Sequence, residues 1–384
     1  MKRRLPDQME QDRKGADRQD VFAHGPLLET AERPKPLKPI MKYPGGKARE
    51  LKYILPFAPC GTERFFEPFV GGGAVYFSFR DAGQYFVNDI SKELTAVYRA
   101  VKEAEPGFFH TLHRLNEDWK MLSAAGLGFD SEVETRELSK GLAILGEYGL
   151  EGFFSGYLLR MKRQKGLYIQ KQREKGNSIT AEDTQEMFET VLKASYYAAV
   201  RKAYNDNRKN GGIQDNAAFY FFIREFCFSS MFRFAQNGDF NVPYGGKSYN
   251  SKSFDGKIKY LRSPELVSHL ANTEIYNMDF QEFAQMFSFS GSDFIFVDPP
   301  YDTEFSTYDE NEFGRQDQIR LAAFLRSVEA KWMLVIKDTP FIRSLYPQED
   351  AHIFYREYGK NYSVSFMNRN NKNVNHLMIT NYEV

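Results

Sequence analysis

Residues 294–301, Phe-Ile-Phe-Val-Asp-Pro-Pro-Tyr, join a fully apolar run to a carboxylate, two prolines and an aromatic ring. Four apolar residues suit a buried central strand, and Asp298 stands where that strand would leave its sheet. In open α/β sheets this carboxyl edge is where ligands sit. Pro299 and Pro300 fix φ and remove two N–H donors, so the corner presents carbonyl oxygens and a carboxylate. A corner with acceptors and no donors, next to an aromatic ring, suits an exocyclic amino group on a flat base. Asp298 and the Pro299 carbonyl would each accept one N–H of an adenine N6 amine, and Tyr301 would stack on the ring. The alternative is an ordinary Pro-Pro turn after a strand. The apolar strand before it and Tyr301 after it favour the ligand-binding reading.

A second candidate begins at Phe69-Val-Gly-Gly-Gly-Ala. A strand that turns through glycines into a helix lets backbone come close to a ligand, because glycine carries no Cβ. The pattern is not G-x-G-x-x-G, and no G-x-x-x-x-G-K-[ST] occurs, so phosphate-loop chemistry is not supported. Asp89 ends the next strand, where a carboxylate accepts hydrogen bonds from a ribose diol. Together these residues suggest an adenosine-containing ligand without a pyrophosphate, or else a tight turn with a helix-capping Asp.

The elements that must hold these groups follow an α/β rhythm. Arg64–Glu67 reads as a strand, Ala74–Asp81 as a helix and Tyr85–Val87 as a second strand. Ser91 then caps a helix whose Leu94, Val97, Tyr98 and Val101 form one buried stripe. After residue 277 the rhythm resumes, with strands at Phe294–Val297, Trp332–Ile336 and Leu377–Thr380 and a helix over Gln316–Ala330. Residues 105–276 read differently. They are helix-rich, with seven Lys/Arg against one Glu between 160 and 175. Near their end, 226–246 reads as a β-hairpin turning at Asn237-Gly238. The expected architecture is a Rossmann-like α/β sheet domain, residues 39–104 and 277–384, interrupted by a mostly helical inserted domain, 105–276. Residues 1–38, polar and closing on prolines, are expected to be a disordered or loosely docked tail, with ordered structure starting near Ile40.

Composition bounds the rest. The chain has 384 residues, 51 basic and 51 acidic, so any polyanion contact must come from local clustering. Two cysteines, Cys60 and Cys227, exclude a disulfide framework and a Cys-rich zinc module. The six histidines show no ligand spacing, so no metal is expected. No apolar run reaches membrane-spanning length and the N-terminus lacks a signal-peptide core, so a soluble, cytoplasmic protein is expected.

KYPGGK (42–47), FEPFVGGGAVY (66–76), VND (87–89), the NVPYG element and VDPPY (297–301), taken in this order, resemble the Dam-like, D12 class of DNA adenine-N6 methyltransferases in their permuted α arrangement. The resemblance covers roughly residues 40–384. It implies a Rossmann-like class I methyltransferase sheet, S-adenosylmethionine as cofactor and an inserted target-recognition domain. Tyr43 and Lys47 would lie against the cofactor; the family often has Trp where this chain has Tyr43. Phe69, Gly71, Gly72 and Gly73 would line the methionine part, Asp89 the ribose, and Asp279 with Phe280 the adenine. Asp298, Pro299, Pro300 and Tyr301 would form the catalytic pocket. Arg233 matches an arginine that reads guanine, Met231 stands where a leucine meets a thymine methyl, and Phe228-Ser229 replace a Tyr-Asn pair. Asn237 belongs to the same DNA-binding turn, and Lys162 and Arg163 are candidates for phosphate contacts.

The implied reaction is methyl transfer from S-adenosylmethionine to N6 of a flipped adenine in double-stranded DNA, by positioning and electrostatics rather than through a metal. A bacterial or phage-encoded enzyme, monomeric or weakly dimeric, is expected. The residues alone also admit an amino-methyltransferase acting on RNA or a protein glutamine amide, or a non-catalytic DNA-binding module.

Overall fold

The computed structural model describes residues 35–210, 216–231, 233–301, 313–361 and 373–383. The expected tail therefore lies outside the described residues up to position 34. Residues 35–38 do not dangle: Leu37 is buried and its N–H donates to the Phe77 carbonyl, and Lys38 N–H donates to the Tyr260 hydroxyl. Packing thus begins before Ile40.

Seven strands form one sheet: β1 (Thr62–Glu67), β2 (Ala82–Asn88), β3 (Thr273–Tyr276), β4 (Asp293–Val297), β5 (Lys331–Lys337), β6 (Phe354–Asn361) and β7 (Asn373–Thr380). Their order across the sheet is β3-β2-β1-β4-β5-β7-β6. The first five run parallel, and β7 pairs antiparallel with both β5 and β6. This is the Rossmann-like methyltransferase architecture. The chain runs outward from β1 through β2 to β3, then restarts at β4 on the other side of β1. A switch in direction opens a crevice at the carboxyl ends of the two strands flanking it. The triple-glycine turn follows β1 and Asp298 follows β4, so both motifs hang over this one crevice.

The central strands form because they are apolar on both faces, as burial between two helical layers requires. All five residues of β4 are buried, Asp293 among them, where it pairs with Arg64. The helix Lys92–Lys102 buries the expected Leu94, Val97, Tyr98 and Val101, and the Ser91 side chain accepts from Leu94 N–H. The helix after the glycines stops at Ser78, earlier than the expected Asp81, with Phe79 already extended.

Two details add to the expected arrangement. The segment 105–276 ends inside the sheet, because β3 pairs with β2. Its helices also share a continuous core with one sheet face: Phe65, Val87 and Phe294 belong to the same buried cluster as Trp119, Phe222 and Tyr196. Residues 35–384 are one compact unit. The expected β-hairpin forms with little regular strand. Phe226 ends the helix Asn216–Phe226 and a short 3-10 turn spans Phe228–Ser230, yet the two arms pair antiparallel at Cys227 with Tyr244 and Phe234 with Phe240. Phe228, Ala235, Asn241 and Gly245 each donate a backbone N–H across them, to Pro243, Asp239, Arg233 and Phe226. The turn itself forms as expected, with Gly238 at φ +77° and its N–H on the Ala235 carbonyl. Further bonds dock the hairpin on the long helix Ala181–Asn210: Asn205 exchanges two hydrogen bonds with Phe240, Lys209 pairs with Asp239, and Arg208 donates to the Gly238 carbonyl.

Candidate active site

The glycine turn leaves β1 through Pro68 and Phe69. Gly71 and Gly73 sit at φ +46° and +67°, the left-handed region where a side chain costs about 1–2 kcal/mol. Space forbids side chains as well. A Cβ on Gly72 would lie 3.0 Å from the Tyr43 Cβ, and one on Gly73 would lie 2.6 Å from the Tyr98 hydroxyl oxygen. Tyr43 therefore covers the turn, its ring 3.2 Å from where a Gly71 Cβ would stand.

Asp89 holds the turn from the end of β2. One carboxylate oxygen accepts from Gly71 N–H at 2.9 Å and the other from Ser91 N–H at 2.9 Å. Tyr98 adds a bond from its hydroxyl to the Gly71 carbonyl. A carboxylate has about four lone-pair sites, so it can accept several N–H or O–H groups at once. Asn88, beside it, donates to the carbonyls of Pro68 and Met278 and accepts from Met278 N–H, which ties the loop after β3 to the loop after β1.

That β3 loop brings Asp279 and Phe280. The Asp279 side chain caps the helix Phe280–Gln285 by accepting from Gln281 N–H, and Arg320 binds both its oxygens at 3.2 and 3.1 Å. Burial pushes this carboxyl up, but Arg320 and the cap outweigh it and hold it below the ordinary range. Phe280 packs with Phe69 and Phe313, ring centroids 5.3 to 5.8 Å apart, which makes an apolar wall beside the glycines.

At the end of β4, Lys47 Nζ lies 2.5 Å from Asp298 Oδ1, 3.0 Å from the Tyr301 hydroxyl and 3.3 Å from the Gly45 carbonyl. Lys47 is only 3% exposed, so an ion pair here escapes most solvent screening. The KYPGGK strap thus reaches both motifs, with Tyr43 on the glycines and Lys47 on the Asp298 corner. Behind the corner, Tyr301 meets His376 of β7 edge-on at 5.4 Å, and Gln318 donates to the Pro300 carbonyl. Residues 302–312 lie outside the described residues.

Sequence reasoning passed over Glu67, Glu50 and His376. Glu67, the last residue of β1, is 3% exposed and its Oε2 has no hydrogen-bond partner. Burial first, then the negative charge of Asp298, pushes its carboxyl well above the ordinary range. Glu50 Oε2 lies 3.3 Å from His376 Nδ1 and accepts from the Tyr358 hydroxyl, which braces the wall behind Tyr301. The acidic residue directly before Pro68 was the one available signal for Glu67. Glu50 and His376 carried none, since only the fold brings them together.

The expected DNA-reading residues cluster on the loop after the helix Asn216–Phe226. Phe228 is exposed, and Met231 is half-buried against the core. Ser229 and Ser230 both sit at φ +52°. Arg233 is exposed, its Nε 2.7 Å from Asn241 Oδ1. Asn237 folds onto Asp239 within the turn. Lys162 and Arg163 stand elsewhere, on the helix Glu151–Glu174, with Arg163 exposed and Lys162 over the Phe188 ring. His110 and His113 are exposed on the helix Pro106–Ala124. Among the described residues no helix is long and apolar enough to cross a membrane.

The family model for D12 class N6 adenine-specific DNA methyltransferases matches residues 43–124 and 165–361. The type II methyltransferase M.CviBI of Paramecium bursaria Chlorella virus NC1A is 27% identical over 90% of this chain and 100% of its own. The DNA adenine methylase of Haemophilus influenzae is 24% identical over 80% of this chain and 82% of its own. The DNA N-6-adenine-methyltransferase of Escherichia phage P1 is 27% identical over 80% of this chain and 31% of its own.

Proposed function

The chain belongs to the D12 class of N6 adenine-specific DNA methyltransferases, and from that premise we propose how its residues divide the work. One observation carries the proposal: the glycine turn and the Asp298 corner flank the same switch point and are joined by one strap, through Tyr43 and Lys47.

S-adenosylmethionine is the donor this crevice suits, and when bound it supplies a methyl group on a sulfonium. Gly71, Gly72 and Gly73 let the turn pack closely under Tyr43 and against Tyr98, where a Cβ would collide, Asp89 brings a carboxylate for the ribose, and Phe69 and Phe280 make an apolar wall for a purine. Asp279 stands beside that wall. Glu67, buried at the end of β1, has its carboxyl pushed well above the ordinary range, which disfavours a third full negative charge near Asp89 and Asp298.

The target adenine leaves the duplex stack at a cost of a few kcal/mol, which stacking on Tyr301 offsets in part. Asp298 and the Pro299 carbonyl accept the two N6 protons, and Pro300 keeps the turn rigid and free of a competing donor. These bonds turn the nitrogen lone pair out of conjugation with the ring, toward the methyl group. Catalysis is then placement plus a fixed negative charge where the amine becomes positive. Phe228, Ser229, Met231, Arg233 and Asn237 read or fill the major groove at the target, and Lys162 with Arg163 contacts phosphate. A protein of this kind acts wherever its host or phage DNA lies.

The test is tritiated methyl transfer from S-adenosylmethionine to duplex DNA, RNA and protein in parallel, with donor binding followed calorimetrically. Incorporation into DNA adenine alone supports the reading; incorporation into RNA or glutamine amide, or no donor binding, contradicts it.

A further inference from the structure

The helix Asn216–Phe226 ends in two fully buried charges that both hold residue 42. Glu225 Oε1 accepts from Lys42 N–H at 3.3 Å, and Arg224 donates to the Lys42 carbonyl at 3.3 Å. The same guanidinium donates to the Ser230 carbonyl at 2.9 Å and the Met231 carbonyl at 2.7 Å, and it lies over the Tyr43 ring. Arg224 is 0% exposed. One planar cation therefore ties the recognition loop to the strap that covers the glycines and reaches Asp298. Lysine has no such fork and could not reach all three carbonyls at once.

A second observation points the same way. Ser229 and Ser230 hold left-handed backbone without being glycine, which persists only where surroundings over-determine it. The surroundings are the two Arg224 bonds to Ser230 and Met231 together with the 3-10 bond from Met231 N–H to the Phe228 carbonyl. Glu225 adds rigidity on the strap side, where Lys252 and Lys257 approach it at 3.3 and 3.4 Å.

We infer that Arg224 is a positioning residue that couples the recognition loop to the methyl-transfer pocket, so that the base sequence met at Phe228–Arg233 sets the strap carrying Tyr43 and Lys47. The inference rests on the proposed reading of that loop as DNA-contacting. A correct sequence would seat the 230–231 carbonyls, hold residue 42, and allow Lys47 to yield Asp298 to the incoming amine. A wrong sequence would leave the strap in its resting position.

The experiment compares wild type with Arg224→Lys and Arg224→Met on two duplexes: the sequence that methylation mapping of expressing cells returns, and the same duplex with one base pair of that sequence changed. Discrimination, the ratio of kcat/KM on the two, is expected to fall about tenfold in both variants. The loss should arise from kcat on the correct duplex, with donor affinity and KM for DNA retained. A proportional loss on both duplexes, or a loss of donor binding alone, would overturn the inference. Hydrogen exchange on the wild-type chain tests it without a variant: the peptide over 40–47 should slow more with the correct duplex than with the altered one, and equal slowing would overturn it. If wild type itself fails to discriminate between the duplexes while donor binding is intact, it is the DNA-reading assignment of the loop that fails.

Discussion

The Lys47 ammonium occupies the acceptor that a target amine would need: its Nζ stands 2.5 Å from Asp298 Oδ1, across 251 residues of chain. The strap thus places a positive donor on the carboxylate proposed to receive the base's amine. It fixes the position of that carboxylate and offsets its negative charge.

Removing that donor should show both effects. Lys47→Met is expected to lower kcat about 10- to 100-fold, because Asp298 is no longer held in place and a misplaced group costs up to about 100-fold. It should also lower the melting temperature, because Asp298 is left half-buried without its cation. Single-turnover methylation and thermal unfolding on the same preparation check this.

Gly73 tests the glycine turn. Gly73→Ala places a Cβ 2.6 Å from the Tyr98 hydroxyl in left-handed backbone. It is expected to cost about 2 kcal/mol in stability and to weaken donor binding. Calorimetric titration with S-adenosylmethionine separates the two.

Glu67 gives a pH signature. Its folded-state carboxyl titrates well above its unfolded value because burial and Asp298 oppose ionisation. The native state therefore holds the proton longer, and stability declines as pH rises above the unfolded value near 4.5. Glu67→Gln keeps the neutral shape and lacks that penalty. It should gain stability relative to wild type as pH rises from 5 to about 8, in denaturant melts at each pH.

His269 works in the opposite sense. It is buried between Tyr76 and Tyr85, bonded to the Tyr76 carbonyl, and burial pushes its imidazole from 6.5 down to about 3. Its stabilising share is present above pH 6.5 and lost as pH falls toward 3. His269→Leu should flatten the acid limb of the stability curve over that window, and an unchanged limb would assign the acid sensitivity elsewhere.

The parts of the fold legible in the sequence were those where composition and position agree. Phe294–Val297 is apolar throughout because β4 lies at the sheet centre, and the Ser91 cap with its Leu94–Val101 stripe is a local signal. The two strands that escaped notice, β3 and β6, are the two edges of the sheet. Edge strands are short or carry charge, as Thr-Glu-Ile-Tyr and Phe-Tyr-Arg-Glu-Tyr-Gly show, so alternation is weak. The aromatic run at 226–246 looked like a strand pair, and its arms do exchange backbone bonds. Its rings, however, are spent on the core against Trp119 and Tyr204 and Phe240 is also held by a helix, so little regular strand forms. Arg224 was not singled out in the sequence. Its three carbonyl partners come from positions 42, 230 and 231, and no local pattern announces them.

The account stands most directly on the carboxylate at the end of β4. With Asp298→Ala, methyl transfer to duplex DNA should fall to background while S-adenosylmethionine still binds with an affinity close to that of wild type. Near-wild-type turnover in that variant would contradict the assignment of Asp298 as the acceptor of the target amine.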